Sequence, residues 1–269
     1  MMSGIFIGSL LVLNTSSWPI AWLGLELNLM SFVPAAMNKE KSKKPAMTYF
    51  IAQSCGSLMI LLGGLMLDMS SFSKAVILTG ILLKMGLMPL HYWVPLIANS
   101  LKNFFLYILL SWQKIAPLSI LCLYYLKNNL IPFFNALAGA MMMMSMTIIP
   151  LLMVFSGMIQ MSWIINLEGG FFVYYTGLYF LVLGVVMIYF KNGGMNFSWA
   201  LLNAGGLPPL TGFMIKLKAI LRIKNWMASL LIVASGMALT SYSRFLVNSK
   251  FFDNSLKPLL LTASTLGMV

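Results

Sequence analysis

Apolar segments long enough to cross a lipid bilayer follow one another along almost all of the 269-residue chain. A membrane-spanning helix needs about 20 predominantly apolar residues. Roughly eleven segments approach or reach that length, the first and last being shorter, and only short connections separate them. We place them at about residues 2–14, 18–37, 46–67, 74–91, 104–126, 130–148, 150–166, 170–190, 198–221, 225–247 and 257–269.

The small number of charged residues excludes other structural classes. Charged residues make up 8% of the chain, whereas a soluble domain carries about a quarter. So few charges cannot cover a water-facing surface, which excludes a soluble globular enzyme. A transmembrane β-barrel is also excluded, because its strands alternate between apolar and polar residues. The sequence therefore predicts an all-α, polytopic transmembrane bundle of about eleven helices, with residues 1–269 in a single domain.

Glycine and proline interrupt two of the predicted spans. The fourth span contains Gly86 and Pro89, and the ninth contains Pro208 and Pro209 after a pair of glycines. Proline inside a helix removes a backbone hydrogen bond and kinks the helix. Interrupted helices in corresponding halves are typical of transporters built from inverted repeats. Because an odd number of spans separates the two interruptions, we predict inverted five-helix repeats at about 1–126 and 130–247, followed by an extra helix at about 257–269.

The chain has a net charge of +12, and the distribution of its lysine and arginine residues between the loops predicts its orientation in the membrane. Loops on the negatively charged inner side of a membrane are enriched in lysine and arginine. The loops after even-numbered spans contain Lys39, Lys41, Lys43, Lys44, Lys102, Lys191, Arg244, Lys250 and Lys257. The loops after odd-numbered spans contain only Lys74, Lys127, Arg222 and Lys224. This imbalance places the even-numbered loops and the N-terminus on the inner side.

Ionisable residues inside the spans are the candidate functional residues, because placing a charge in the bilayer costs several kcal/mol. They are Glu26, Lys84, Lys114 and Lys216, with His91 at the end of the fourth span. A low-dielectric surrounding disfavours the charged form of each group, whereas a nearby opposite charge favours it. A carboxylate and an amine whose contact opens and closes can therefore load and release a proton without a cofactor.

Each of these residues can also be interpreted as having a structural role without proton exchange. Lys216 is followed by Lys218 and Arg222, so its amine could snorkel to the membrane interface. His91 precedes two aromatic residues and could serve as a boundary anchor. Glu26, Lys84 and Lys114 could belong to static salt bridges that only stabilise the bundle.

Cysteine and histidine are too scarce for a redox centre on this chain alone. The chain has only Cys55, Cys122 and His91. An iron–sulfur cluster usually needs four cysteine ligands, and bis-histidine haem needs two histidines. A phosphate-binding GxxxxGK[ST] loop is also absent from the sequence, which argues against an ATP-driven pump.

Four motifs around these residues resemble those of one known family. They are WLGLELN at 22–28, KMGLMPLHYWVP at 84–95, WQKIAP at 112–117 and GGLPPLTGF at 205–213, with Lys216 three residues further on. In this order they resemble the antiporter-like membrane subunits of NADH:ubiquinone oxidoreductase, respiratory complex I, in the short animal mitochondrial form. The resemblance extends over most of residues 1–250.

The resemblance implies a role for each motif residue. Glu26 resembles the family's glutamate, Lys84 the lysine of the first broken helix, Lys114 the bridging lysine, Lys216 the terminal lysine and His91 the axial histidine. These residues would take part in proton translocation coupled to electron transfer from NADH to ubiquinone. Gly86, Pro89, Pro208 and Pro209 would form the helix breaks.

The resemblance also implies cofactors, partners and location. NADH, FMN, iron–sulfur clusters and ubiquinone would be bound by other subunits, leaving this chain without a cofactor or metal. Its partners would be other membrane-arm subunits, including neighbouring antiporter-like subunits, and membrane lipids, but not nucleic acid. The chain would be a multi-pass protein of the mitochondrial inner membrane with its N-terminus on the matrix side.

The sequence departs from the family pattern in two places. The stretch PLLMVFSGMIQMSW at 150–163 has no basic residue where the family often has a charged segment. Leu96 stands where family members often carry a glutamate. Two other functions also stay open at this stage: a stand-alone cation/proton antiporter or a subunit of one, and a purely structural subunit of the membrane arm.

Overall fold

A computed structural model describes residues 2–15, 17–37, 44–66, 71–123, 130–190, 194–208, 210–223 and 226–248. The last predicted span at 257–269, Pro209 and most of the basic cluster at 39–44 lie outside these residues. In the described part of the chain every regular element is helical. The helices are α1 (Met2–Asn14), α2 (Trp18–Met37), α3 (Lys44–Leu65), α4 (Ser71–Met85), α5 (Trp93–Ala98), α6 (Asn103–Leu110), a 3-10 turn (Trp112–Lys114), α7 (Ile115–Leu123), α8 (Leu130–Ser145), α9 (Ile149–Asn166), α10 (Gly170–Tyr189), α11 (Gly194–Gly205), α12 (Thr211–Arg222) and α13 (Met227–Asn248).

Several of these helices are long and apolar enough to cross a membrane. Among the described residues the segments that meet both conditions are Lys44–Leu65, Asn103–Cys122, Ile149–Asn166, Gly170–Tyr189 and Met227–Val247. Met2–Asn14 and Leu130–Ser145 are shorter apolar helices, and the fourth and ninth spans are interrupted. The prediction of an all-α, polytopic membrane protein is confirmed.

The structure corrects the bounds of three predicted spans. The fourth does not continue to residue 91, because α4 ends at Met85 and a separate short helix, α5, follows. The fifth is not continuous, since Ser111 leaves helical geometry (φ −114°, ψ −79°) and separates α6 from the 3-10 turn and α7. The ninth consists of α11 and α12, with the interruption where the glycines and prolines predicted it.

The helices form two compact units, Met1–Lys127 and Asn128–Val269. In the first unit, α1 packs on α2, α2 on α3, α3 on α4 and α5, and α7 on α1 and α4. In the second, α8 packs on α9, α9 on α10, α10 on α11 and α12, and α13 on α8 and α11. Counted by spans, five pairs are in contact in both units, the second unit adds the contact between α9 and α13, and the fourth span is interrupted in each.

Glycine allows close helix packing in the first unit. A Cβ atom on Gly8 of α1 would lie 2.7 Å from the carbonyl oxygen of Gly24 in α2. A Cβ on Gly80 of α4 would lie 2.8 Å from the carbonyl oxygen of Gly56 in α3. Since a membrane gives helices no hydrophobic reason to associate, such small-residue contacts supply much of the packing energy.

The second unit is organised around α9. Residues 152–159 and 161–165 of this helix are all buried, and α9 contacts α8, α10 and α13. The indole of Trp163 is completely buried within the unit. Since nearly all of its residues are buried, α9 lies at the centre of the second unit.

The interrupted helices α4 and α11 end in the same way. Gly86 and Gly206 have positive φ angles of 64° and 88°. Leu87 N donates to Leu82 O at 3.0 Å, and Leu207 N donates to Leu202 O at 3.1 Å. A glycine in the left-handed conformation, followed by a residue whose N–H bonds to the carbonyl oxygen five residues earlier, is the Schellman motif that ends many helices.

We predict that Gly80→Ala destabilises the first unit. The added methyl would press on the backbone of α3, which cannot move away as a flexible side chain would, at a cost of about 1–3 kcal/mol. Gly236→Ala in α13 is the control, because nothing lies within 4 Å of the added atom. Thermal unfolding of the detergent-extracted protein tests this. A melting temperature for Gly80→Ala equal to that for Gly236→Ala would contradict the proposed close contact.

Candidate functional site

Glu26 and Lys84 are brought together in the first unit. Glu26 lies partly buried in α2, and its Oε1 accepts a hydrogen bond from Ser57 Oγ of α3. Lys84 lies in the last turn of α4 with only 5% of its surface exposed. Gly56, the residue before Ser57, lies against the stem of Lys84, since a Cβ atom on Gly56 would lie 2.8 Å from Lys84 Cγ. Helices α2, α3 and α4 thus surround one acid and one amine.

The stem of Lys84 needs the glycine in α3. A Cβ on Gly56 would lie 2.8 Å from Lys84 Cγ. The same small residue that allows α3 and α4 to approach therefore also provides the space for the lysine side chain. A lysine near a helix C-terminus is further stabilised in its charged form by the partial negative charge of the terminal carbonyl groups.

Side chains cap the carbonyl groups that the break after α4 releases. Gln53 Nε2 donates to the carbonyl oxygen of Lys84 at 3.0 Å. Trp93 Nε1 donates to the carbonyl oxygen of Leu83 at 2.9 Å. In a bilayer such groups have to be satisfied within the protein. Gln53 of α3 and Trp93 of α5 therefore hold the end of α4 in place.

Lys114 lies in the 3-10 turn between α6 and α7 and is 5% exposed. Its two preceding residues attach this turn to neighbouring helices. Trp112 Nε1 donates to Ser9 Oγ of α1 at 3.1 Å, and Gln113 Nε2 donates to Asn28 Oδ1 of α2 at 2.9 Å. Asn28 lies two positions after Glu26, so the turn that carries Lys114 is fastened to the helix that carries the acid.

His91 lies in the segment between α4 and α5 and is 4% exposed. Its Nδ1 has no hydrogen-bond partner among the described residues, and its ring lies 5.6 Å from that of Tyr92. Tyr92 is the exposed member of this pair, at 81%. His91 therefore lies in the segment that interrupts the fourth span, and its imidazole is buried.

Lys216 belongs to the second unit and is buried in α12, with 7% of its surface exposed. Its Nζ donates to the carbonyl oxygen of Gly205, the last residue of α11, at 2.6 Å. A Cβ on Gly206 would lie 2.9 Å from this Nζ. Lys216 therefore does not snorkel to an interface. Its amine points back over the break, and Gly206 leaves the space for it.

Two further contacts join the halves of the second broken helix. Asn203 Oδ1 of α11 accepts from the backbone N–H of Gly212 at 2.8 Å and from Thr211 Oγ1 at 3.1 Å. Gln160 Nε2 of α9 lies 3.5 Å from the carbonyl oxygen of Ala204, a longer contact. In each unit a glutamine amide thus faces a carbonyl group at the end of the broken helix.

A small cavity of about 30 Å³ with both apolar and polar lining adjoins Lys216 inside the second unit. Its polar lining comes from Ser156 and Gln160 of α9, Tyr175 and Tyr179 of α10, Asn203 of α11 and Tyr242 of α13, besides Lys216 itself. The described residues around it include no carboxylate. A buried amine next to a polar cavity can exchange a proton there.

Sequence reasoning did not identify Gln53, Ser57, Gln160 or the tyrosines. Gln53 and Ser57 are four residues apart and therefore lie on one helix face. Tyr175 and Tyr179 have the same spacing. Polar side chains repeated at this spacing inside an apolar span were the available signal, because they indicate a face turned towards protein and away from lipid.

Among the described residues, no group of three or more histidine, cysteine, aspartate or glutamate side chains could hold a metal ion. The ionisable groups that the sequence predicted inside the spans are Glu26 and three buried amines, and each amine lies beside a helix break or in the 3-10 turn. Amines and carboxylates can both take up and release protons, so these groups are candidates for proton exchange.

Comparisons with known proteins identify relatives by sequence. NADH-ubiquinone oxidoreductase chain 2 of Lumbricus terrestris is 30% identical over 92% of this chain and 85% of its own length. The proteins of the same name from Artemia franciscana and Anopheles gambiae are each 29% identical, over 94% and 90% of this chain and 90% and 84% of their own lengths. No family model matches the chain.

The fold is also similar to that of solved membrane complexes. A chain of respiratory complex I from Thermus thermophilus with bound aureothin superposes with a TM-score of 0.75, covering 98% of this chain and 75% of that one at 17% identity. A chain of an archaeal membrane-bound sulfane sulfur reductase gives 0.77, covering 98% and 70% at 16% identity. On the strength of its sequence relatives, and in agreement with the family that its motifs resemble, the chain belongs to the family of NADH-ubiquinone oxidoreductase chain 2.

Proposed function

We propose that this chain is a core membrane-arm subunit of the proton-translocating NADH:ubiquinone oxidoreductase. The observation that carries the proposal is that partly buried Glu26 and buried Lys84 both lie against neighbouring residues of α3, Ser57 and Gly56, at a broken helix. The name that the relatives carry supplies the enzyme. Because burying charge in a membrane is costly, such a pair is expected where it has a function.

The first unit exchanges a proton through the Glu26–Lys84 pair. While the carboxylate faces the ammonium, the attraction stabilises the charged lysine. When that contact weakens, desolvation favours neutral Lys84, which releases its proton. Ser57 donates a hydrogen bond to Glu26 throughout, so that the carboxylate keeps one hydrogen-bond partner when the lysine moves away from it.

Lys114 and His91 extend the path within the first unit. Lys114 is fixed in a turn that is hydrogen-bonded to α1 and α2, where it relays a proton received from Lys84. His91 follows the helix break after α4 and offers a further titratable group.

In the second unit Lys216 exchanges a proton with the cavity that it lines. Quinone reduction elsewhere in the assembly drives these steps by electrostatic coupling.

The two units are proposed to be inverted repeats of one five-span module. The shared order of helix contacts and the two matching Schellman endings support this relation. The odd number of spans in each repeat gives the two copies opposite topology. In this proposal the repeats belong to a single transmembrane domain.

Cofactors, partners and location follow from membership of the complex. NADH, FMN, iron–sulfur clusters and ubiquinone are bound by other subunits, and this chain contacts neighbouring membrane-arm subunits and lipids. The membrane is proposed to be the mitochondrial inner membrane. The excess of lysine and arginine after even-numbered spans supports an N-terminus on the matrix side.

A native gel of mildly solubilised membranes tests membership of the complex. We expect the chain, located by mass spectrometry, to migrate in a large band that stains for NADH dehydrogenase activity and contains flavin and iron–sulfur subunits. Migration as a small band without this activity would contradict the proposal. Sodium-driven proton exchange in liposomes would then support the stand-alone antiporter.

We predict that Lys84→Met slows NADH-driven proton translocation by at least about tenfold, because losing a positioned proton-transfer group costs about 10²- to 10⁴-fold where its step limits the rate. Methionine keeps the volume of the stem but carries no proton. Lys74→Met is the control, since Lys74 lies exposed on the same helix. The rate of NADH-driven proton uptake in proteoliposomes measures the effect, and the number of protons taken up per electron is determined in the same preparation.

The same variant distinguishes a translocating subunit from a structural one. We expect Lys84→Met complexes to assemble at the level of Lys74→Met complexes. Impaired assembly together with a normal proton-to-electron ratio in the remaining complexes would favour the purely structural role.

We predict a separate effect for Glu26→Gln. Glutamine can still accept the hydrogen bond from Ser57, but the charge that stabilises protonated Lys84 is lost. Proton translocation is therefore expected to fall several-fold with little loss of assembly, and the pH dependence of turnover should change. Glu168→Gln, at an exposed position, is the control. Identical pH profiles for the two variants would refute the coupling of Glu26 to Lys84.

A further inference from the structure

The hydroxyl group of Tyr179 is an unexplained feature of the second unit. Tyr179 is 8% exposed and lines the cavity beside Lys216. Its hydroxyl has no hydrogen-bond partner among the described residues. Leaving such a group unpaired in a buried site is destabilising. A buried hydroxyl without a protein partner, on a residue that lines a cavity, therefore indicates a ligand that the protein itself does not supply.

Other polar groups of the cavity have partners. Tyr175 Oη donates to Gln160 Oε1 at 2.8 Å, which joins α10 to α9. Ser156 Oγ donates to the carbonyl oxygen of Met153 at 3.1 Å, and Asn203 Oδ1 accepts from the backbone N–H of Gly212 at 2.8 Å. Tyr179 is a lining residue whose buried hydroxyl has no partner among the described residues.

Lys216 supplies the second half of the site. An ammonium group has three N–H donors, and the contact to Gly205 uses one. Tyr179 and Lys216 thus present donors to the same cavity. A molecule between them has to accept hydrogen bonds, and a water molecule does so while keeping protons of its own to pass on. Buried waters typically make about three hydrogen bonds to groups of this kind.

We propose that Tyr179 is a positioning residue that holds an ordered water against the Lys216 amine. The inference rests on the proposed function, since it assigns the water as the group that exchanges a proton with Lys216. The water accepts a hydrogen bond from Lys216, takes its proton and passes one of its own to the next water or hydroxyl, so that no net charge is created on the tyrosine. Tyr179 acts through this water and not on the transferred proton.

The test compares Tyr179→Phe with Tyr174→Phe in the intact respiratory complex. Phenylalanine keeps the ring and removes only the hydroxyl, and Tyr174 is an exposed tyrosine on the same helix. A cryo-EM map that resolves waters should show density within hydrogen-bond distance of both Tyr179 Oη and Lys216 Nζ in the native complex. This density should be lost in Tyr179→Phe and kept in Tyr174→Phe.

The functional measurement is the pH profile of proton translocation in H₂O and in D₂O. Tyr179→Phe is expected to slow translocation several-fold and to change the pH profile and the solvent isotope effect, without lowering the melting temperature of the complex. Native-like profiles for Tyr179→Phe would overturn the proposal. Density too strong for water, or no density at Tyr179 in the native complex, would also overturn it, whether or not the variant assembles.

A second pair of variants separates this inference from the proposed function. Lys216→Met should impair translocation, whereas Lys218→Met, at an exposed position on the same helix, should not. If Lys216→Met translocates normally, the function proposed for the second unit fails. If Lys216→Met is impaired but Tyr179→Phe is native-like, only the positioning role of Tyr179 fails.

Discussion

Inside a bilayer no water is available to pair with a backbone carbonyl group that has lost its helical partner. This constraint governs the structure wherever a span is interrupted. The break after α4 releases carbonyl groups that Gln53 and Trp93 take up. After α11, the carbonyl oxygen of Gly205 accepts a hydrogen bond from Lys216, and the carbonyl oxygen of Ala204 faces the Gln160 amide. Each interruption thus requires polar side chains from neighbouring helices, and these side chains form the polar interior of the protein.

The helix breaks also decide where charge can be buried. The C-terminal end of a helix carries partial negative charge, which favours a cation nearby. Lys84 lies in the last turn of α4, and the Lys216 amine lies on the last carbonyl group of α11. Glycine makes both positions possible, since Gly56 gives space to the Lys84 stem and Gly206 to the Lys216 amine. Backbone geometry, small-residue packing and proton-exchange chemistry therefore depend on the same few positions.

The sequence predicted much of this architecture because lipid imposes simple rules. The ends of α1 and α2 agree with prediction, since a continuous apolar run has few alternatives to a helix in a membrane. The break in the fifth span was not predicted. No proline or glycine marks Ser111, and the turn depends on hydrogen bonds from Trp112 and Gln113 to two distant helices. The local sequence around Ser111 contains no information about hydrogen-bond partners on distant helices.

By itself the sequence determined the all-α membrane class, the two Gly/Pro interruptions and the ionisable residues of the spans, because each follows from composition or from a local motif. Only the tertiary structure decided which of these residues meet. It placed Ser57 on Glu26, placed the Lys216 amine on the carbonyl oxygen of Gly205, and gathered tyrosines from α10 and α13 around one cavity. Contacts between helices depend on packing and register over long sequence distances, which no single span encodes.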